Sequence, residues 1–161
     1  LAGVYKLAAI RRPGGEWEPK IKLSDQKLKT SLPGLLQVRR YRTLNGNVAD
    51  CIYDERTDLA GGGIMINPLD QTKQMALPAE AEADDLLVPI MRGGELIYHL
   101  PTLEEIRHRR MVELGHVADA TKRFDNPDTY RVGLEKSLYL LREHLVVDLR
   151  SASSDWEYET A

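Results

Sequence analysis

With 161 residues, 42% of them hydrophobic and 29% charged, the chain has the composition of a soluble domain and can bury a core without disulfides or metals. A net charge of −3 argues against nucleic acid as a main partner, because phosphate backbones are held by a surplus of basic groups. Cys51 is the single cysteine, which excludes an intramolecular disulfide framework and a multi-cysteine zinc site, and no apolar run approaches the ~20 residues of a membrane span. The plain reading is a reducing, cytoplasmic compartment with no membrane partner. The opening residues do not read as a signal peptide. The chain begins at Leu1 with strand-like sequence almost at once, which points to truncation, processing or a trimmed expression product.

Residues 3–10, rich in Val, Tyr, Leu and Ile, predict a first strand, and Arg12-Pro13-Gly14-Gly15 a turn. Residues 16–24 return as its partner, with Trp17, Ile21 and Leu23 on one side and Glu18, Lys20 and Lys22 on the other. A Lys-rich loop follows, closed by Pro33-Gly34. Residues 36–42 alternate again, Asn45-Gly46 is a hairpin turn, and residues 48–53 pair back. Residues 58–63, ending in Gly61-Gly62-Gly63, read as a flexible loop. They lack the Lys-Ser/Thr that would follow in a phosphate-binding P-loop. Shorter strands are expected at 64–66 and 72–77, and a hairpin at 86–91 and 95–100 around Arg92-Gly93-Gly94. The acidic run from Glu80 through Asp84 and Asp85 reads as solvated linker.

The periodicity then changes. Thr102, with Glu105 three residues on, is a capping box that starts a helix ending at Gly115. A short helix is expected within 117–124, stopping before Asn126-Pro127. Leu134, Leu138, Leu141 and Leu145 predict a last helix running to about Leu149. The fold class is therefore α+β: an antiparallel, strand-rich N-terminal part over residues 1–100, a helical C-terminal part over 101–150 packed on it, and a polar tail over 151–161.

Candidate chemistry centres on the lysines of the opening hairpin. Lys20 and Lys22 share a strand face in this reading, Lys6 approaches them across the hairpin, Lys27 and Lys29 follow in the loop, and Ser24 adds a hydroxyl. Such ammonium groups suit phosphate or pyrophosphate. Spacing alone favours a solvated edge strand guarded by lysines. His99, His108, His116 and His144 show no metal-ligand or triad spacing, and His108 falls on the polar face of its helix beside Arg107, Arg109 and Arg110. Cys51, in a strand, reads as a small core residue.

Gly3-Val4-Tyr5-Lys6-Leu7, then Lys22-Leu23-Ser24-Asp25, Lys29-Thr30 and Leu32-Pro33-Gly34, and next Gln37-Val38-Arg39, form an ordered series. It continues in Leu86-Leu87-Val88-Pro89, Leu100-Pro101-Thr102-Leu103-Glu104-Glu105-Ile106-Arg107, Lys122-Arg123-Phe124-Asp125-Asn126-Pro127 and Tyr130-Arg131-Val132-Gly133-Leu134. In this order the motifs resemble the C-terminal region of the nicotinate phosphoribosyltransferase family, after its barrel domain, over residues 3–145. Asp25-Gln26-Lys27, Arg131 and Glu135 depart from the family pattern.

The resemblance implies a type II phosphoribosyltransferase that joins nicotinate to phosphoribosyl pyrophosphate, giving nicotinate mononucleotide and pyrophosphate in NAD salvage. ATP hydrolysis through a phosphorylated histidine, and magnesium, are implied for the full enzyme. The catalytic histidine and glycine-rich loop belong to the barrel, so no catalytic residue, metal ligand or bound cofactor is expected in this chain, and the chain alone is expected to be inactive. The implied partners are the barrel portion and a second subunit. The same resemblance assigns phosphate contact to Lys6, Lys22, Ser24 and Lys29. The alternative is a free-standing, non-catalytic α+β module that packs against another protein.

Overall fold

The computed structural model describes residues 5–26, 29–44, 46–79 and 81–154. The expectations for residues 1–4, Lys27, Asn45, Glu80 and 155–161 lie outside these. The opening hairpin is present but short: β1 (Ala9–Arg11) pairs antiparallel with β2 (Trp17–Pro19), and the Arg11 guanidinium lies 5.0 Å from the Trp17 ring centroid. The expected strands over 3–10 and 16–24 are thus too long. The last backbone bond of the hairpin runs from Lys20 N to Ala8 O at 2.7 Å, after which the Lys22 backbone turns to Ser31. Lys20 and Lys22 therefore lie beyond β2 and do not share a face of it.

A long hairpin follows, of β3 (Leu36–Thr43) and β4 (Gly46–Asp54). β5 (Gly63–Ile66) and β6 (Gln74–Leu77) flank a turn in which the Asn67 side chain accepts the N–H groups of Leu69 (2.8 Å) and Asp70 (3.1 Å). β7 (Glu82–Asp85) pairs with β3. β8 (Met91–Arg92) and β9 (Glu95–Leu96) are far shorter than the expected strands over 86–91 and 95–100. The helix α1 (Leu103–Gly115) starts at the predicted capping box: Thr102 Oγ1 accepts from Glu105 N, and Glu105 Oε2 accepts from Thr102 N. The helix α2 is confined to Asp119–Lys122. Then come β10 (Arg131–Glu135) and α3 (Lys136–Ser154).

Two sequence expectations are corrected here. Leu134 belongs to a strand, not to the last helix. β10 inserts into the sheet parallel to β4 on one side and antiparallel to β5 on the other, giving the order β6-β5-β10-β4-β3-β7. The acidic run at Asp84 and Asp85 is likewise no linker. It is an edge strand, neutralised by arginines of β3.

The pleat sorts the core into two clusters. Tyr41, Ala49, Cys51, Met65 and Leu77 gather on one face. Ile66 and Leu134 lie on the other, covered by Leu138 and Tyr139 of α3, with Leu36 and Ile52 alongside. Cys51 is fully buried, as its strand position predicts, and burial pushes its thiol up to about 12. Glu135 closes the strand and opens the helix: its carboxylate accepts Ser137 N at 2.7 Å and Leu138 N at 3.2 Å, serving α3's orphan N–H groups. Among the described residues no helix is long and apolar enough to cross a membrane.

Candidate functional site in the lysine loop

The loop between β2 and β3 is shaped by backbone contacts made through small hydroxyl residues. Ser31 clasps Lys22 twice: Lys22 N donates to Ser31 Oγ at 2.7 Å, and Ser31 N donates to Lys22 O at 3.1 Å. Ser24 Oγ accepts Gln26 N at 3.3 Å, and Lys29 N reaches Gln26 O at 2.8 Å. Lys6 Nζ donates to the Lys29 carbonyl at 2.7 Å, so the segment preceding β1 straps the loop. The loop closes on the main sheet at Pro33-Gly34. There Gly34 N donates to Ala8 O at 2.8 Å, and the buried Asp54 carboxylate accepts Leu35 N at 3.1 Å.

Gly34 is required at this point. Its φ is +102°, and a Cβ would fall on the Asp54 carboxylate. Asp54 is in turn gripped by Arg56, with both Nε and NH2 at 2.7 Å. The Arg56 hydrogen bonds hold the Asp54 carboxyl below the usual carboxylate range.

The predicted site residues are therefore placed as follows. Lys6, Lys22, Ser24 and Lys29 all border one loop, and the three lysines are exposed. Lys6 is engaged in holding the loop, and Ser24 in turning it. Nζ of Lys22 and of Lys29 makes no hydrogen bond or ion pair with a described residue, which leaves both ammonium groups open to an oxyanion. Lys20 instead pairs with Glu18 at 3.0 Å. The donors around this loop are ammonium, hydroxyl and N–H groups. They suit phosphate oxygens and not a divalent cation. Among the described residues no group of His, Cys, Asp and Glu is arranged to hold a metal ion.

Sequence reasoning missed two polar clusters on the long hairpin. On one face Arg39 forks onto Asp85, at 2.8 and 3.0 Å, while Tyr53 donates its hydroxyl to the same carboxylate at 2.9 Å and packs beneath the guanidinium. Burial, and then donation to Asp85, push the Tyr53 phenol up to about 12. The Arg39 hydrogen bond in turn lowers Asp85. This cluster lines an open cleft of about 520 Å³ with Arg56, Asp58 and Leu59. On the other face Arg40 forks onto Asp50, at 2.9 and 2.8 Å, and also reaches Glu113 of α1 at 3.1 Å. Tyr130 donates to Asp50 at 2.9 Å, and burial holds its phenol up at about 12. The available signal was the alternation in Gln37-Val38-Arg39-Arg40-Tyr41-Arg42: three arginines in one strand need acids on the strands beside it.

The four histidines build no site. His99 lies 4.0 Å from Glu105 and His144 lies 3.2 Å from Asp148, both pairs exposed, while His108 is solvent-facing on α1. His116 contributes its carbonyl, which accepts Asn47 N at 2.8 Å.

Comparison with known proteins gives this geometry a family. Residues 36–142 match the model of the nicotinate phosphoribosyltransferase C-terminal domain. The chain is 29% identical to the nicotinate phosphoribosyltransferase of Rattus norvegicus, over 88% of its own length and 26% of the relative's. It is 26% identical to that of Dictyostelium discoideum, over 92% and 26%. The crystal structure of human nicotinic acid phosphoribosyltransferase superposes with a TM-score of 0.64 at 23% identity, covering 83% of this chain and 27% of that one, a likeness of fold. The chain thus spans about a quarter of the length of the curated relatives it matches. With the family match running from β3 into α3, the chain belongs to the nicotinate phosphoribosyltransferase C-terminal domain family.

Proposed function

We propose that this chain forms the C-terminal portion of a nicotinate phosphoribosyltransferase acting in NAD salvage. In that reaction the pyridine nitrogen of nicotinate attacks C1 of phosphoribosyl pyrophosphate. A C–N bond forms, the C1–O bond breaks, and pyrophosphate leaves with the electron pair. ATP hydrolysis and magnesium belong to the portion that this chain does not match. The choice of nicotinate over nicotinamide rests on the names of the relatives. The observation that carries the proposal is the family match over residues 36–142.

The contribution of this chain is electrostatic. Lys22 and Lys29, on a loop fastened by Ser31, Ser24, Lys6 and the Gly34–Asp54 contact, face the phosphates of the substrate at the edge of the barrel's site. They offset charge that grows on the departing pyrophosphate. On its own the chain binds phosphates weakly and turns nothing over. Its working form is cytoplasmic and contains a second subunit. The buried Cys51 thiol fits a reducing compartment.

The test is Lys22→Ala in the intact enzyme. A lost charge-assisted contact of about 1.5–3 kcal/mol predicts a KM for phosphoribosyl pyrophosphate raised by roughly 10-fold or more, with the KM for nicotinate little changed. Unaltered kinetics in both Lys22→Ala and Lys29→Ala would exclude the loop from the site.

A further inference from the structure

A second cleft opens where the main sheet loses a pairing. β10 pairs with β4 from Arg131 to Leu134, but with β5 only at Leu134 and Glu135. At Asn67 the chain leaves β5 for its turn, so among the described residues the first half of β10 has no strand beside it on that side. The gap is a cleft of about 650 Å³ between residues 129–132 and residues 65–75. That volume suits a small molecule.

The lining is divided by chemistry. Met65, buried, and its ladder partner Met75, half-buried, form an apolar floor, and Val132 adds a wall that is 46% exposed. Two unbranched, polarizable thioethers side by side suit an aromatic ring. The rim is cationic: Arg131 and Lys73 line the cleft, and no carboxylate does. The Arg131 side chain is exposed and makes no hydrogen bond or ion pair with a described residue. Lys73 reaches Asp70 only at 3.5 Å, in an exposed contact. The acids close by in sequence or contact are otherwise engaged. Asp70 accepts the Thr72 N–H at 3.1 Å and its hydroxyl at 2.6 Å, Asp128 is held by Arg123, and Asp50 by Arg40 and Tyr130. Asn67 turns its side-chain oxygen to the Leu69 and Asp70 N–H groups, which leaves its Nδ2 without an acceptor among the described residues. Free donors thus ring an apolar floor. The cleft at Arg39 differs, because its guanidinium groups are already paired, Arg39 with Asp85 and Arg56 with Asp54.

We infer that the cleft beside β10 binds a small aromatic anion, its ring on Met65 and Met75 and its carboxylate or phosphate on Arg131 and Lys73. The planar guanidinium fork takes two oxygens of either group. None of the lining residues belongs to the lysine loop, so the site is distinct from the one assigned above to the phosphates of the substrate.

Methyl NMR of the intact enzyme labelled with [13C-methyl]methionine tests it, with Met65 and Met75 assigned by Met→Leu substitution. Benzoate should shift both resonances saturably. Benzyl alcohol, which has the ring without the charge, and inorganic phosphate, which has the charge without the ring, should bind at least ~10-fold more weakly. Arg131→Met should weaken benzoate by ~10-fold or more, and Lys73→Gln by about 2–5-fold, with thermal unfolding unchanged because both side chains are exposed. The KM for nicotinate should stay unaltered in both variants. Benzoate that moves other methionines but not Met65 and Met75 would place the aromatic anion elsewhere, a substrate site included, and overturn the inference. Equal binding of benzyl alcohol or of phosphate, or full benzoate affinity in Arg131→Met, would overturn it as well. An enzyme without transferase activity that still binds benzoate at Met65 and Met75 refutes the proposed reaction and leaves the assignment of this cleft standing.

Discussion

Gly34→Ala is the most exacting test of how the lysine loop is fixed to the sheet. At φ +102° any residue with a Cβ is strained, at a cost of about 1–3 kcal/mol. The added methyl also falls on the Asp54 carboxylate, which already accepts Leu35 N and both Arg56 nitrogens. Moving the carboxylate leaves a half-buried N–H short of its acceptor, worth a further 1–3 kcal/mol or so. The sum is about 2–6 kcal/mol, a large part of the 5–15 kcal/mol by which domains are usually stable, and its middle, about 4 kcal/mol, corresponds to a Tm lower by roughly 8–16 °C. Urea unfolding followed by circular dichroism should show the midpoint falling with the slope unchanged. In an Asp54→Ala background the same substitution should cost only the backbone strain, giving a coupling energy of about 1 kcal/mol or more. A loss below ~1 kcal/mol in the wild-type background, or strict additivity in the cycle, would refute the clamp.

Four further outcomes are expected. Glu135→Ala should destabilise by about 1 kcal/mol through loss of the α3 cap, with Glu135→Gln intermediate, as read by thermal unfolding. Gly133→Ala should cost about 1–3 kcal/mol, since its Cβ would sit 2.8 Å from Ile66 O and against Met65; an unchanged Tm would mean that β5 can move aside. Asp54 and Asp85 have pKa values lowered by Arg56 and Arg39, so the stability they contribute is present above the ordinary carboxylate value near ~4 and is lost as pH falls through the lowered values. Unfolding midpoints measured through that acid range should drop less steeply in Asp85→Asn than in the parent, and parallel curves would contradict the assignment. A double-mutant cycle on Arg40→Met and Glu113→Gln should give a coupling of about 0.5–1 kcal/mol, as for a partly exposed ion pair.

Elements governed by local chemistry were legible in the sequence. The α1 start needed only Thr102 and Glu105, and the long hairpin only its alternation around Gly46. What was not legible depends on partners remote in the chain. Leu134 and Leu138 share an apolar spacing that a helix explains well. Yet the β10 residues lie where the β4 edge offers a parallel ladder, and the helix begins only after Glu135. Asp84 and Asp85 look like solvent-facing acids until β3 brings Arg39 and Arg42 beside them. The lysines were singled out by the resemblance, through the order of motifs along the chain. The shared strand face expected for Lys20 and Lys22 fails because the Lys22 backbone leaves the hairpin and pairs with Ser31. The loop instead takes its form from Ser31, Ser24 and the carbonyl of Lys29.

These contacts place the two outward-facing parts of the chain at opposite ends of a single hairpin. The open end of β3–β4, at Leu36 and Asp54, holds the lysine loop through Leu35 and Gly34. The turn end, at Gly46 and Asn47, holds the end of α1 through the His116 carbonyl. With 8 residues in β3, the two ends stand about 25 Å apart. The strands between them carry much of the buried core. Separation across a rigid element makes the loop and α1 energetically independent. Asp54→Ala should therefore loosen the lysine loop while leaving the Arg40–Glu113 coupling intact, and Glu113→Gln should free α1 while leaving the KM for phosphoribosyl pyrophosphate unaltered in the intact enzyme proposed above. If either substitution moved both readouts, the hairpin would be a lever between the two ends and not a spacer.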